Sequence, residues 1–166
     1  MGSARRSYDV VIVGGAMMGA SVAWHLRHEG FTGSVLVLER DPTYETSSTA
    51  HTNSCMRQQF STPLNIKISQ YAAHFVRNFR EIEGDERIPE IHFQSFGYMY
   101  LAADDRRATA LREAVAVQNA NGAATRMMTP EEVAEAYPFY HLSDVVAASH
   151  NLVDEGYFDG TTLFEW

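Results

Sequence analysis

Two short apolar runs near the amino terminus flank a stretch with helical spacing. The run at residues 8–13, YDVVIV, is rich in β-branched residues and ends in glycines, and the run at 34–40, SVLVLER, has the same character. Between them, small and apolar residues recur at helical spacing from Met18 to His28, and Gly30 ends that pattern. Continuous apolar runs are typical of buried parallel strands. The pattern therefore predicts a βαβ unit at the start of the chain.

The next segment, residues 41–60, follows neither a helical nor a strand period. It mixes hydroxyl, amide, histidine and arginine side chains, and we expect a long ordered loop of the kind that often carries function. A helix then starts at Pro63, with Thr62 as its N-cap, and ends at Gly84. Six residues of this helix are predicted to line one apolar face: Leu64, Ile68, Tyr71, Phe75, Phe79 and Ile82.

The second half of the chain predicts short strands and helices in alternation. Residues 91–102 are aromatic, alternate in part and are interrupted at Gly97, which predicts a strand or a hairpin. The other predicted elements are a helix capped by Asp104 or Asp105 and closed near Gly122, a helix opened by a capping box of Thr129 and Glu132, a strand at 144–150 and a helix beginning before Trp166.

Together these patterns predict the α/β fold class. A Rossmann-like βαβ unit comes first, and its two parallel strands form an incomplete sheet that needs further strands to enclose a core. An α+β region follows. We therefore expect this chain to be one portion of a larger fold.

Composition narrows the function classes. The chain has 166 residues, of which 45% are hydrophobic and 20% charged, and its formal net charge is −8. An acidic chain is a poor ligand for nucleic acid or anionic lipid, so small molecules are the expected partners. Cys55 is the only cysteine, and no apolar run approaches the length of about 20 residues needed to span a membrane. We expect no disulfide within the chain, no membrane span and a cytoplasmic location.

The turn after the first strand has the spacing of a dinucleotide-binding motif with one exception. Gly14 is positioned to make the tight turn and Gly19 to let the helix pack on the strand, but Ala16 replaces the glycine that lets backbone approach the pyrophosphate. We expect its methyl group to weaken binding without abolishing it, and Gly15 to supply some of the lost backbone freedom. Glu39 ends the second strand, where a carboxylate can accept hydrogen bonds from ribose hydroxyls. The alternative is that the glycines serve packing alone.

Five segments resemble FAD-dependent amine and amino-acid oxidoreductases of the D-amino-acid oxidase superfamily, which includes glycine oxidase, sarcosine oxidases and dimethylglycine dehydrogenases. The resemblance implies FAD, and oxidation of a C–N bond by hydride transfer to flavin N5. It also implies that an α+β substrate domain is inserted into the flavin domain. The segments are VVIVGGAMMGASVAWHL at 10–26, VLVLER at 35–40, SSTAHTNSCMRQQFSTPLNI at 47–66, FGYMYLA at 96–102 and DEGYFDG at 154–160.

The resemblance also implies a domain arrangement. Residues 1–83 are assigned to the FAD-binding portion, 84–150 to part of the substrate-binding domain, and 151–166 to a return toward the FAD domain. Members of the superfamily are more than twice as long as this chain. We therefore expect it to match an amino-terminal portion, with the remainder of the enzyme or a complementary subunit as its partner.

Two residues are implied at the reacting centre. His51 matches a histidine that is covalently joined to flavin in dimethylglycine dehydrogenases, and the alternative is a polar histidine hydrogen-bonded to flavin or backbone. Arg57 matches an arginine near the substrate carboxylate, and its alternatives are a structural ion pair or a phosphate contact. The predicted cofactor-binding residues are Gly14, Gly15, Ala16, Met18, Gly19, Glu39, Arg40, Ser47, Ser48, Thr49 and His51.

Other readings of these residues stay open. The hydroxyls at 47–49 can equally shape turns, and Tyr98 and Tyr100 can either line the substrate side or pack the sheet. Cys55 is expected to be an inert thiol, and the remaining histidines show no metal-ligand spacing. Two rival functions are an NAD-dependent dehydrogenase, because the βαβ motif alone does not separate NAD from FAD, and a non-catalytic fragment or partner subunit of a split flavoenzyme.

Overall fold

The structure, a computed structural model, describes residues 7–166 and divides into two compact units. The boundary falls between Asn53 and Ser54. The predicted assignment of 1–83, 84–150 and 151–166 to functional domains stays a prediction, and residues 1–6 lie outside the described part.

The first unit is the predicted βαβ unit. Strand β1 (Val10–Val13) leads through the glycine turn into helix α1 (Met17–His28), and strand β2 (Val35–Leu38) returns beside β1. The strands are parallel, with Val10 opposite Val35 and Val13 opposite Leu38. The Asp9 carboxylate joins the strand starts, because Oδ2 accepts from the Ser34 amide at 2.7 Å and from the Ser34 hydroxyl at 2.6 Å.

Burial in this unit is less complete than the apolar runs predict. Ile12 is buried, whereas Val13 is 85% exposed and Val11 is 51% exposed. Side chains alternate between the two faces of a strand, and the single helix covers one face of the two-stranded sheet. The incomplete parallel sheet is thus confirmed, and the expectation of fully buried strands is wrong for this unit.

The second unit holds the remaining elements. The elements in chain order are β3 (Cys55–Met56), α2 (Pro63–Arg77), α3 (Phe79–Glu83), β4 (Phe93–Gln94), β5 (Tyr98–Ala102), α4 (Asp105–Ala120), β6 (Arg126–Met128), α5 (Pro130–Ala136), β7 (Ala147–Asn151), β8 (Gly156–Phe158) and α6 (Gly160–Glu165). Their strands form two antiparallel sheets, with the strand orders β3-β8-β4 and β5-β7-β6.

Strand β7 is the centre of this unit, and all five of its residues are buried. On one face Ala147 packs with Ala102 and with Ala108 of α4. On the other, Ala148 packs with Met128 and with Val133 of α5. Small residues on β7 let both helices approach the sheet closely.

Two of the three helix caps predicted for this unit form the expected hydrogen bonds. The Asp104 carboxylate accepts from the Arg107 amide at 2.8 Å, and Thr129 and Glu132 form the predicted capping box. Thr62 occupies the N-cap position of α2, but its side chain makes no capping hydrogen bond.

The predicted helix over 63–84 is correct in extent but interrupted. It breaks at Asn78, which has φ −111° and ψ 16°, before α3 continues to Gly84. The buried side chains of α2 are Ile66, Ala73 and Val76. Three members of the predicted apolar face are instead exposed: Leu64 by 69%, Ile68 by 56% and Tyr71 by 50%. The spacing showed which residues share a face but not which face the unit buries.

Pairing differs from the sequence expectation around Gly97. Strands β4 and β5 do not form a hairpin, because β4 pairs with β8 and β5 pairs with β7. Strands β3, β6 and β8 contain only two or three residues each and were not predicted. Within residues 7–166, no helix is long and apolar enough to cross a membrane.

Candidate active site

The glycine turn places an open backbone at the amino end of α1. Gly14 has φ +96°, a conformation that favours glycine, and its amide donates to the Leu38 carbonyl at 2.8 Å. Among residues 7–166, and apart from its neighbours in the chain, no atom lies within 4 Å of the position that a Cβ on Gly14 would occupy. Gly19 is the close-packing glycine, because a Cβ there would lie 1.8 Å from the Gly14 carbonyl oxygen. These two positions have the geometry predicted for the first and third motif glycines.

Ala16 fits the turn without strain. It is the N-cap of α1 with φ −67° and ψ −173°, which any residue adopts. The first turn of α1 has no acidic residue and no side-chain cap at Ala16. The positive end of the helix dipole is therefore not offset by a carboxylate of the first turn.

Gly15 has a different role from the one predicted. It is not among the glycines with positive φ, so it supplies no glycine-specific backbone freedom. A Cβ on Gly15 would instead lie 2.9 Å from the Tyr44 hydroxyl and 3.4 Å from Val37 Cγ1. A side chain at position 15 would therefore displace the hydroxyl of Tyr44, a residue that the sequence pattern did not single out.

Glu39 points its carboxylate into the turn. Oε2 accepts from the Gly15 amide and Oε1 from the Asp41 amide, both at 2.7 Å. The Asp41 amide and then the Gly15 amide lower the pKa of Glu39. The carboxylate is thus ionised at neutral pH, and its further lone pairs can accept hydrogen bonds from a diol.

The loop after β2 returns to the helix start. Thr49 Oγ1 accepts from the Met17 amide at 3.3 Å, which places this hydroxyl at the first turn of α1. Ser47 Oγ accepts from the Ala50 amide at 3.2 Å and so shapes the loop itself. The other predicted cofactor residues of this unit, Met18, Arg40, Ser48 and His51, are exposed.

Arg57 lies in the second unit and is packed between aromatic rings. Its guanidinium carbon is 4.9 Å from the Phe60 ring centroid and 5.9 Å from that of Tyr98. Its Nε is buried and has no hydrogen-bond partner among residues 7–166. None of the ion pairs among residues 7–166 includes Arg57, so the described residues give no support to the alternative that Arg57 forms a structural ion pair.

A buried carboxylate that sequence reasoning missed lies next to the Arg57 segment. Glu155 is fully buried, and burial raises its pKa. Its carboxylate accepts from the Gln58 amide at 2.6 Å, from Gln59 Nε2 at 2.9 Å and from Asn151 Nδ2 at 3.0 Å. The only sequence signal was the presence of Glu155 in the segment 154–160, and nothing there distinguishes a buried carboxylate from an exposed one.

Tyr98, Tyr100 and Cys55 of the second unit differ in how far they are buried. Burial is the main cause that raises the pKa of Tyr98, Cys55 raises it further and Arg57 lowers it. Tyr100 is 36% exposed and Cys55 is also exposed.

Among residues 7–166, no group of three or more histidine, cysteine, aspartate or glutamate side chains could hold a metal ion.

Known proteins resemble this chain over most of its length. The DAO family model, described as FAD dependent oxidoreductase, matches residues 9–165. FAD-dependent oxidoreductase domain-containing protein 1 of Xenopus laevis is 41% identical over 161 residues, covering 93% of this chain and 32% of that protein. Human mitochondrial sarcosine dehydrogenase is 24% identical over 137 residues, covering 82% of this chain and 14% of that protein.

A solved structure shows the same fold. The crystal structure of L-proline dehydrogenase from P. horikoshii has 28% sequence identity and a TM-score of 0.75, over 94% of this chain and 39% of that one. The chain thus spans 32% of the Xenopus laevis protein, 14% of human sarcosine dehydrogenase and 39% of the L-proline dehydrogenase chain. The family finding favours FAD over the NAD alternative. This chain belongs to the DAO family of FAD-dependent oxidoreductases.

Proposed function

We propose that this chain carries the dinucleotide-binding turn and one substrate-binding arginine of an enzyme that oxidises the C–N bond of an amino acid or N-methylated amino acid. The observation that carries the substrate class is Arg57, a guanidinium between two aromatic rings without a carboxylate partner among residues 7–166. The chain spans 32% of a relative's length, and the proposal assigns the rest of the site to residues outside these 166 positions.

The residues of the turn fit the ADP half of FAD. The open backbone at Gly14 and the start of α1, whose first turn has no acidic residue, suit two phosphates, and the ionised Glu39 suits the ribose hydroxyls. Thr49 adds a hydroxyl at the same helix end. Bound FAD supplies a two-electron acceptor at N5 for a hydride from the carbon next to the substrate nitrogen.

Arg57 would orient the substrate through its carboxylate. A guanidinium offers parallel N–H donors that match the two oxygens of a carboxylate. The Phe60 and Tyr98 rings restrict the guanidinium, and its Nε is buried. When the amine loses a hydride from carbon and a proton from nitrogen, it becomes an imine, which water hydrolyses.

The experiment compares substrates with and without a carboxylate in the full-length FAD-loaded protein. L-proline and sarcosine are tested against pyrrolidine and dimethylamine, and anaerobic bleaching of the flavin absorbance is measured. We expect reduction by at least one of the carboxylate-bearing amines and a loss of about a hundredfold in kcat/KM in Arg57→Met. Arg106→Met, at an exposed arginine of α4, is the matched control.

Two results would contradict the proposal. Equal reduction by the amines that lack a carboxylate removes the assigned role of Arg57. A protein that contains FAD but is reduced by none of a wider panel of amino acids and N-methylated amino acids supports the alternative of a non-catalytic flavoprotein.

A further inference from the structure

The proposed function leaves Glu155 without a role, although its burial is unusual for a carboxylate. It is fully buried, and its carboxylate partners are three N–H groups of neutral residues. Removing a carboxylate from water is costly unless its oxygens are hydrogen-bonded. Among residues 7–166, Oε1 accepts two hydrogen bonds and Oε2 accepts one, so each carboxylate oxygen has at least one N–H donor.

These donors belong to the residues that hold Arg57. The Gln58 amide is the peptide group directly after Arg57, so its 2.6 Å bond to Glu155 restrains the backbone of the arginine. Gln59 Nε2 donates both to Glu155 at 2.9 Å and to the Tyr98 carbonyl at 2.8 Å. Gln59 Oε1 accepts from the Ser149 hydroxyl at 2.8 Å, which ties the same side chain to β7.

The hydrogen bonds of Gln59 also connect Glu155 to the two residues whose rings lie near the guanidinium, Tyr98 and Phe60. Tyr98 is held through its carbonyl, and Phe60 directly follows Gln59. Arg57 itself makes no ion pair among residues 7–166, so its position depends on backbone restraint and ring packing. The Glu155 carboxylate is therefore connected to Arg57 by hydrogen bonds to Gln58 and Gln59, which follow Arg57 in the chain.

We propose that Glu155 is a positioning residue: its carboxylate fixes the Gln58 amide and the Gln59 side chain, so that Arg57 presents its guanidinium to the substrate carboxylate. This inference rests on the proposed function of Arg57. Glutamine has nearly the same shape as glutamate, but it has no charge and only one acceptor oxygen. A glutamine at position 155 would therefore turn its NH₂ group toward at least one of the three N–H donors, and that hydrogen bond would be lost.

The test uses full-length FAD-loaded protein with ¹⁵N-labelled arginine side chains and acetate as the carboxylate probe. Arg57→Met assigns the Arg57 Nε resonance by its disappearance. In the wild type, we expect acetate to shift this resonance. In Glu155→Gln we expect the resonance to move toward those of exposed arginines and acetate to bind about tenfold more weakly or worse. Glu132→Gln makes the same chemical change at an exposed carboxylate of the second unit and should leave both readouts unchanged.

The outcomes separate the two proposals. If acetate shifts Arg57 equally in the wild type and in Glu155→Gln, the role of Glu155 is overturned and that of Arg57 stands. If acetate does not shift Arg57 even in the wild type, both are overturned. If Glu155→Gln does not fold, Gln59→Met removes the donor shared by Glu155 and Tyr98. Weakened acetate binding in that variant supports the proposal, and unchanged binding overturns it.

Discussion

Gly19→Ala tests the packing of the dinucleotide turn directly. The added Cβ would lie 1.8 Å from the Gly14 carbonyl oxygen, 2.9 Å from the Gly14 carbonyl carbon and 3.2 Å from Ile12 Cγ2. Ordinary contact begins at 3.4 Å, so helix and turn must separate by about 1.6 Å (3.4 − 1.8) along this contact. The closest neighbour is backbone, so no side-chain rotation can relieve the overlap.

The magnitude follows from two opposing terms. Alanine gains about 1 kcal/mol over glycine in a helix interior. Overpacking of a close contact costs typically 1–3 kcal/mol and sometimes more, and a backbone overlap of this size belongs at or above the upper end, about 3 kcal/mol. We therefore expect a net destabilisation of about 2 kcal/mol or more. The shift also moves the amides at the start of α1 away from the phosphates, so FAD affinity should fall by about tenfold or more.

The assay follows flavin fluorescence in the full-length protein, giving both the temperature of FAD release and the dissociation constant by titration of apoprotein. Gly30→Ala is the matched control, because Gly30 has φ +83° and, within the part of the chain that the structure describes, a new Cβ would have no non-neighbouring atom within 4 Å. It should cost about 1 kcal/mol from left-handed strain and leave FAD affinity unchanged. A Gly19→Ala protein that releases FAD at the wild-type temperature and binds it as tightly would refute the packing argument.

Four further predictions concern the turn, the loop and the buried carboxylate. Glu39→Ala should weaken FAD binding by roughly tenfold, through loss of an ionised acceptor at the turn, and unchanged affinity in the titration removes Glu39 from the site. Ala16→Gly should tighten FAD binding without loss of stability, since glycine is at least as good an N-cap as alanine, and equal or weaker affinity counts against the steric account. If His51 is joined covalently to flavin, yellow colour will remain with acid-precipitated protein, whereas release of all flavin excludes the linkage. Because burial raises the pKa of Glu155 above its unfolded value, the folded state holds this proton more tightly, and the free energy of unfolding should fall as pH rises between the two pKa values. Glu155→Gln should lack this slope in pH-dependent unfolding, and identical slopes in the two proteins would show that Glu155 does not titrate in this way.

The backbone geometry of the turn could be predicted for a local reason, whereas the roles of its residues in cofactor binding stay predictions. Gly14, Gly19 and Glu39 act through backbone conformation, close approach and strand ends, which are set within a single βαβ unit. The helix caps at Asp104 and Thr129 are equally local, since each bond spans three residues. Features of this kind can be predicted from a short stretch of sequence.

Features that depend on distant segments were missed. Tyr44 lies over Gly15 only because the loop after β2 folds back onto the turn. Strand β8 pairs with both β3 and β4, which lie far from it in the chain, and each pairing involves only two residues. Segments this short carry too little periodicity to be recognised, and the pattern around Gly97 could not show that β4 and β5 join different sheets.

The sequence by itself determined the βαβ unit, the spacing of its glycines, the terminal acid and the family resemblance, because these depend on residues near one another in the chain. Only the tertiary structure decided which face of α2 is buried, that Tyr44 comes close to Gly15, and how Glu155 reaches Gln58 across 97 positions. The physical reason is that burial and long-range hydrogen bonding are properties of the assembled unit. A carboxylate has the same chemistry in every sequence context, and its surroundings decide whether it is solvated or holds other residues in place.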